Sequence, residues 1–392
     1  MPDLDQSRLV RKEVSLGTLR DLEPPQDHIG LRTIAPFLEV ATDEVIFDYA
    51  KGLTTGMVNA RAEDAEAELA QKDLMFGGQG RASVIDWAQK DHYNASDVNR
   101  YRESLLISNL PGINQANGMR PLVTIESNRQ EFQAKLARDA TLRRKKIDNR
   151  LEWMIMTALE TSGITYNDGK IKFSISYGRP GGQTDQTPAG GTWDLNTSDP
   201  IGDLLGIQET MYETYGVHLT RGITSRKVLN TLANSDRFIA QTGLVKQGYG
   251  FTTTDATERT GTPIDPNYLI PGWGPSAAQQ IIEQATGIRF EEYDAVYRTR
   301  PVGGTTVTNN RFLNQKKVFL LPNPAELDDI DDTQIGFGKM LTSPHPEGNW
   351  TPGYYEWEIE TKDPWGMDRG TGLKAFPVFP HMDLTYSLTV LP

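Results

Sequence analysis

The chain has 392 residues, 37% of them hydrophobic, enough to bury a large core and to fill two or three domains. Its net charge of -12 argues against a protein whose main task is to grip nucleic acid by neutralising phosphates, and the lack of cysteine excludes disulfides, thiolate metal sites and thiol nucleophiles. The start, MPDLDQSRLVRKEV, has no apolar signal-peptide region, and no apolar run nears the roughly 18 residues of a membrane span, so a soluble intracellular product is expected.

Residues 1–41 carry Pro24, Pro25 and Pro36 among polar residues with little periodicity, and read as an extended arm that needs a surface to lie against. TDEVIFDYAKG, Thr42 to Gly52, alternates around Val45, Phe47 and Tyr49 as a strand does. Leu53 to Trp87 is acidic and Ala-rich and then runs through GGQG, which predicts a protruding excursion with little core of its own.

From Ser127, a plausible N-cap, a helix is predicted to Gly163, a rod of roughly 50 Å. Phe132, Leu136 and Ala140 form half of its apolar stripe, and Ile147, Leu151, Met154 and Ala158 form the other half at spacings of four, three and four. Between the halves stand Arg143, Arg144, Lys145 and Lys146, which predict an exposed middle offset by Asp139, Asp148 and Glu152. A strand is expected at Ile171 to Gly178, followed by a long loop through RPGGQTDQTPAGGTW.

Asp199-Pro200 and Gly216 bracket a helix with Leu204, Leu205 and Met211 on its apolar face. Ser225 caps another that buries Val228, Leu229 and Leu232, and Ser276 to Gly287 repeats the format. Strands IRFEEYDAVYR and KKVFLLP follow, so residues 200–321 read as a compact α/β subdomain. The tail has strands YYEWEIETK and DLTYSLTV, with an irregular Pro- and Gly-rich crossing between them.

No chemistry emerges from the motifs. His28, His92, His218, His345 and His381 are scattered, the Gly-rich stretches do not join a strand to a helix as a phosphate loop does, and no serine has a His neighbour arguing for a nucleophile. The run Glu326 to Asp332 lacks the glycine and terminal Glu of a calcium loop. Glu356, Glu358 and Glu360 alternate with Trp357 and Ile359, and are assigned to the wet face of a strand rather than to a glycosidase pair. No catalytic, cofactor or metal residue is assigned. What remains is a shape, with an arm and an excursion too poor in apolar residues to fold alone and expected to be packed by neighbouring copies.

Three stretches, RRKKIDNRLEWMIMTALETSGITY, GTWDLNTSDPIGDLLGIQE and ETKDPWGMDRGTGLKAFPVFP, resemble the spine-helix end, axial-domain entry and final element of tailed-phage major capsid proteins of the lambda-like protein E family. TDEVIFDYAKG and VYRTRPVGGTT fit the same order, and the likeness departs most between Leu53 and Gly118. The resemblance implies an α+β Hong Kong 97-like fold: an arm at 1–41, an extended loop at 42–92, a peripheral domain at 93–199 with a spine helix at about 127–162, an inserted axial domain at 200–321, and a return to the peripheral domain at 322–392. It implies a non-enzymatic icosahedral shell subunit that forms hexamers and pentamers and encloses double-stranded DNA without reading its sequence. The partners it implies are a portal and a separate scaffolding protein, with a decoration protein as a further candidate. The expected location is the virion, after assembly in the bacterial cytoplasm. Candidate assembly residues are Arg143, Arg144, Lys145, Lys146, Trp153, Trp87 and Phe76. The rival readings are an encapsulin-like compartment and, from a different class, a carbohydrate-active or carbohydrate-binding protein that uses the 7 Trp and 14 Tyr.

Overall fold

The structure, a computed structural model, describes residues 19–50, 76–94, 121–167, 171–195, 197–235, 238, 275–299, 306–323, 327, 336–362 and 365–392. In chain order the strands are β1 (Phe37–Glu39), β2 (Glu44–Ala50), β3 (Phe76–Ser83), β4 (Ile85–Asn94), β5 (Gly163–Asn167), β6 (Lys172–Ser176), β7 (Leu219–Thr224), β8 (Arg289–Glu292), β9 (Val296–Thr299), β10 (Thr308–Arg311), β11 (Lys317–Pro322), β12 (Lys339–Thr342), β13 (Tyr355–Lys362), β14 (Trp365–Val378) and β15 (Tyr386–Thr389). The helices are α1 (Pro121–Thr161), α2 (Pro200–Tyr215), α3 (Arg226–Asn234) and α4 (Pro275–Thr286). The chain divides into two compact units, one of residues 1–46, 81–153 and 339–378, the other of residues 47–80, 154–338 and 379–392.

The first unit is built on a sheet in which β1 runs parallel to β12, β12 and β13 pair antiparallel with β14, and β4 pairs with the opposite side of β14. The stretch read as an irregular crossing is therefore the central strand, 14 residues long. Its glycines explain both the misreading and the fold. A Cβ on Gly370 would lie 2.1 Å from the Trp357 ring, and one on Gly372 would lie 2.4 Å from the Tyr355 ring. These glycines are the space that cross-strand aromatic rings fill, and not breaks in the strand.

α1 begins at Pro121, six residues before the expected Ser127 cap, because proline suits a first helical turn. It stops at Ser162, whose φ is 56°, and Gly163 opens β5. Gly163 is needed for a different reason, since a Cβ there would sit 2.5 Å from the Ile175 carbonyl oxygen. The stripe Ile147, Leu151, Met154 and Ala158 is buried as expected, and Ile155, Met156 and Leu159 are buried with it. The last turns are thus apolar nearly all round, as in a fully buried helix. Leu136 and Ala140 are buried as well, whereas the side chain of Phe132 lies outside the described residues.

In the second unit, β15, β11, β7 and β8 form a sheet over which α2, α3 and α4 share a core that includes Trp193, Leu204, Met211, Leu229, Ile282 and Val318. β7 and β8 are parallel, so their connection must cross over, and α3 and α4 lie within it. The expected caps are present. Asp199 accepts from Gly202 N at 2.9 Å, Ser225 accepts from Val228 N at 3.3 Å, and Gly216 ends α2 at a φ of 72°. Leu205 departs from expectation, being 45% exposed, while Ile207 takes its place in the core. The strand expected across IRFEEYDAVYR is split into β8 and β9, and β9 turns away to pair with β10. The last strand, β15, belongs to this sheet and not to that of β14.

Candidate functional site

The basic run at the middle of α1 is where the first unit is tied together. Consecutive helical residues point about 100° apart, so Arg143 and Arg144 face different layers. Arg143, fully buried, enters the α1 face of the sheet: Nε donates to Thr371 Oγ1 at 3.0 Å, Nη1 donates to Asp91 Oδ2 at 2.8 Å, and Nη2 lies 3.6 Å from Glu356. Burial opposes its charge, but its hydrogen bonds to Asp91 and Tyr93 outweigh that cost and hold its pKa above the ordinary value. Glu356, 0% exposed, also meets Arg369 at 3.3 Å, and this corrects its assignment to a wet face. Glu358 beyond it is exposed, and the side chain of Glu360 lies outside the described residues.

Arg144 reaches the N-terminal segment instead, donating from Nη1 to the carbonyl of Leu19 and from Nη2 to that of Leu22. Its guanidinium stacks 4.6 Å from the Tyr354 ring centroid and lies 3.6 Å from Asp148, one turn on. Asp148 accepts from the Tyr354 hydroxyl; burial raises the carboxyl's pKa against the opposing pull of Tyr354 and Arg144. A further turn along, the buried carboxylate of Glu152 accepts from Gly30 N and Leu31 N, both at 2.9 Å. These two amides open a turn of π-helix, Gly30–Ile34, and are the orphan donors of its first turn. A Cβ on Gly30 would be 2.6 Å from Glu152 Oε2, so a larger residue there would displace the carboxylate. One face of α1 at positions 144, 148 and 152 therefore reads the backbone of residues 19–31, carbonyls at one end and amides at the other.

This geometry corrects two expectations. Arg143 and Arg144 are 0% and 3% exposed, so of the four basic residues only Lys145 and Lys146 are exposed. Residues 19–39 are bound by their own chain, with Leu19, Leu31, Ile34 and Ala35 buried and β1 paired to β12, so this part of the arm needs no neighbouring copy. Residues 1–18, and residues 51–75 of the excursion, lie outside the described residues.

Of the aromatic candidates, Trp87 and Trp153 are brought together. The Arg150 guanidinium lies 6.0 Å from the Trp87 ring centroid and 5.2 Å from that of Trp153, and Trp87 Nε1 donates to the Ala375 carbonyl at 3.0 Å. Both rings are half-buried. Phe76 stands on β3, where its side chain lies outside the described residues. Asp148 and Glu152 were visible in the sequence as charge balance for the basic run. The steps of four from Arg144 to Asp148 and from Asp148 to Glu152 were the signal that they share its face.

Among the described residues no group of His, Asp or Glu has the makings of a metal site, and no helix is long and apolar enough to cross a membrane. The buried charges of α1 hold the backbone of the N-terminal segment and the sheet in place. The sequence matches the family of phage major capsid protein E over residues 16–390, and the chain belongs to that family. It is a shell-forming capsid protein, and a component of the virion.

Solved structures similar to it include a phage-related protein from Bordetella bronchiseptica RB50, at 13% identity over 97% of both chains with a TM-score of 0.47. A protein assigned as a prophage capsid protein in Escherichia coli CFT073 is 13% identical over 95% of this chain and 87% of that one, with a TM-score of 0.47. The SrpI encapsulin of Synechococcus elongatus is 12% identical over 98% and 96%, with a TM-score of 0.39. No curated protein matches the sequence.

Proposed function

We propose that many copies of this chain close an icosahedral head of hexamers and pentamers, with the Hong Kong 97-like arrangement its sequence resembles, around double-stranded DNA. The observation that carries this reading is the family match over residues 16–390. In this scheme residues 1–41 are the arm, 42–92 the extended loop, 93–199 and 322–392 the peripheral domain, and 200–321 the axial domain. A portal and a separate scaffolding protein are its partners in assembly in the bacterial cytoplasm, and a decoration protein is a candidate for the finished shell. The role is structural, with no catalytic step. A net charge of -12 supports it, because a subunit that repels phosphate lets DNA be packed and released. Contacts that are individually weak suffice when many close together.

Lys145 and Lys146 remain the assembly candidates of the basic run, and the Trp87, Arg150 and Trp153 stack is a second candidate contact. Sedimentation and negative-stain microscopy of the purified chain, alone and with scaffold, test the proposal. Shells, or capsomers that become shells when scaffold is added, are expected, and a strictly monomeric chain under both conditions refutes it. Particles that enclose an enzyme cargo, from a gene neighbourhood with a cargo enzyme and no phage genes, would favour the encapsulin reading. A monomer retarded on a polysaccharide column would favour the carbohydrate reading.

A further inference from the structure

The second unit carries two exposed helix faces of opposite character. On α2, Leu205, Glu209, Tyr212 and Glu213 fall at spacings of four, three and one, within about 100° of arc. All four are exposed, Leu205 by 45% and Tyr212 by 53%, so an apolar pair and a carboxylate pair share one stripe. On α3, Arg226, Lys227, Asn230 and Thr231 line one wall of a groove of about 560 Å³. Trp193, Asp194, Asp294, Arg311 and Gln315 line the rest. Ser235 also lines it, and its buried Oγ has no hydrogen-bond partner among the described residues.

The groove is rich in donors. Arg311 is held there by Asp294, and with the Gln315 amide turned oxygen-inward, Gln315 accepts from Arg311 Nε at 3.0 Å. Arg226 is 3.8 Å from Glu292 yet its side chain is 64% exposed, and Lys227 forms no ion pair among the described residues. Arg226, Lys227 and Arg311 stand against Asp194 and Asp294 in the lining, with Glu292 beside Arg226, so the groove is of mixed sign and presents Arg226 and Lys227 as its exposed cations. The two carboxylates disfavour a polyphosphate, whose charges are all of one sign. They suit a protein surface that carries both acids and apolar groups.

We infer that the α2 stripe of one copy seats in the α3 groove of the next, with Glu209 and Glu213 meeting Arg226 and Lys227 while Leu205 and Tyr212 cover the groove's rim. In this contact one patch of each copy meets the other patch of the next, a head-to-tail arrangement that generates a ring where its rotation closes. α4 packs against both α2 and α3, which makes the two patches parts of one rigid helical layer. This inference rests on the shell reading and specifies the contact by which copies form capsomers.

The test is a charge swap in the full chain. Glu209→Lys with Glu213→Lys, and separately Arg226→Glu with Lys227→Glu, are assayed for assembly by sedimentation velocity and for folding by circular dichroism and thermal denaturation. Each pair should raise the concentration needed for assembly by about ten-fold or more, since attractive pairs become repulsive, and leave folding unchanged. Combining all four substitutions should restore assembly, a rescue that no merely structural role predicts. Shells that form normally in both double variants, or a quadruple variant no better than either, overturn the contact and leave the shell reading standing. A wild-type chain that never assembles overturns both. If the Arg226→Glu, Lys227→Glu pair assembles normally but loses retention of a double-stranded oligonucleotide, the groove serves phosphate and the inference fails.

Discussion

Replacing Glu152 with Gln keeps the volume and removes one of two acceptors that hold the N-terminal segment. In the native chain each carboxylate oxygen accepts one amide, from Gly30 and from Leu31, at 2.9 Å. A glutamine offers one oxygen, and its NH2 group faces the second amide donor to donor. A hydrogen bond to a charged group contributes about 1.5–3 kcal/mol, and a buried donor left unsatisfied costs about 1–3 kcal/mol. Relief of the buried charge offsets part of this, so a net loss of about 2–3 kcal/mol is expected, confined to residues 19–35. That corresponds to roughly 30- to 150-fold faster amide hydrogen exchange at Gly30 and Leu31. Residues of β11 and β7, in the other unit, should exchange at native rates. Protection at Gly30 and Leu31 within about three-fold of wild type would refute the clamp, because the two lone pairs of a single oxygen would then serve both amides as well as the two carboxylate oxygens do.

Gly370→Ala should destabilise the chain by about 2–3 kcal/mol in thermal or denaturant unfolding, because its Cβ would overlap the Trp357 ring, whereas Gly206→Ala on α2, with nothing within 4 Å, should stabilise it by up to about 1 kcal/mol. Glu356→Gln should cost about 3 kcal/mol in the same measurement by leaving Arg143 and Arg369 buried with a neutral neighbour. His28 is buried, and desolvation lowers its pKa below the ordinary 6.5 despite its hydrogen bond to Asn149. The unfolded chain therefore binds the proton first, so stability is full above about pH 6.5 and falls as pH drops below it. Urea midpoints of wild type should decline from pH 7 to pH 5.5 more steeply than those of His28→Gln, and parallel curves would remove His28 from the account.

Local signals with local consequences were legible. Asp199-Pro200 at one end of α2 and Gly216 at the other are caps whose partners lie within a turn, and the Ile147, Leu151, Met154, Ala158 stripe has a spacing that only a helix satisfies. β14 was illegible for a physical reason. Its glycines look like interruptions until Tyr355 and Trp357, on a neighbouring strand, are laid across them. The burial of Arg143, Arg144 and Glu356 was hidden in the same way. A charge is normally solvated, and what overrides that here is a set of partners that the sequence does not place nearby: the Leu19 carbonyl, Thr371 and Arg369. Of the candidate residues, Lys145 and Lys146 kept the expected exposure because they meet the default rule for long charged side chains.

The adjacent arginines of α1 also order the folding of the chain in time. Arg144 bonds to a residue 125 positions earlier, and Arg143 to one 228 positions later. During synthesis Leu19 emerges first, and it waits for the helix. Arg143 remains hydrated until Thr371, near the end of the chain, has been made. Contacts at such separations form late, because loop closure must precede them. The first unit therefore locks only when Thr371 is available, and a product truncated before it cannot present a finished surface to a growing particle.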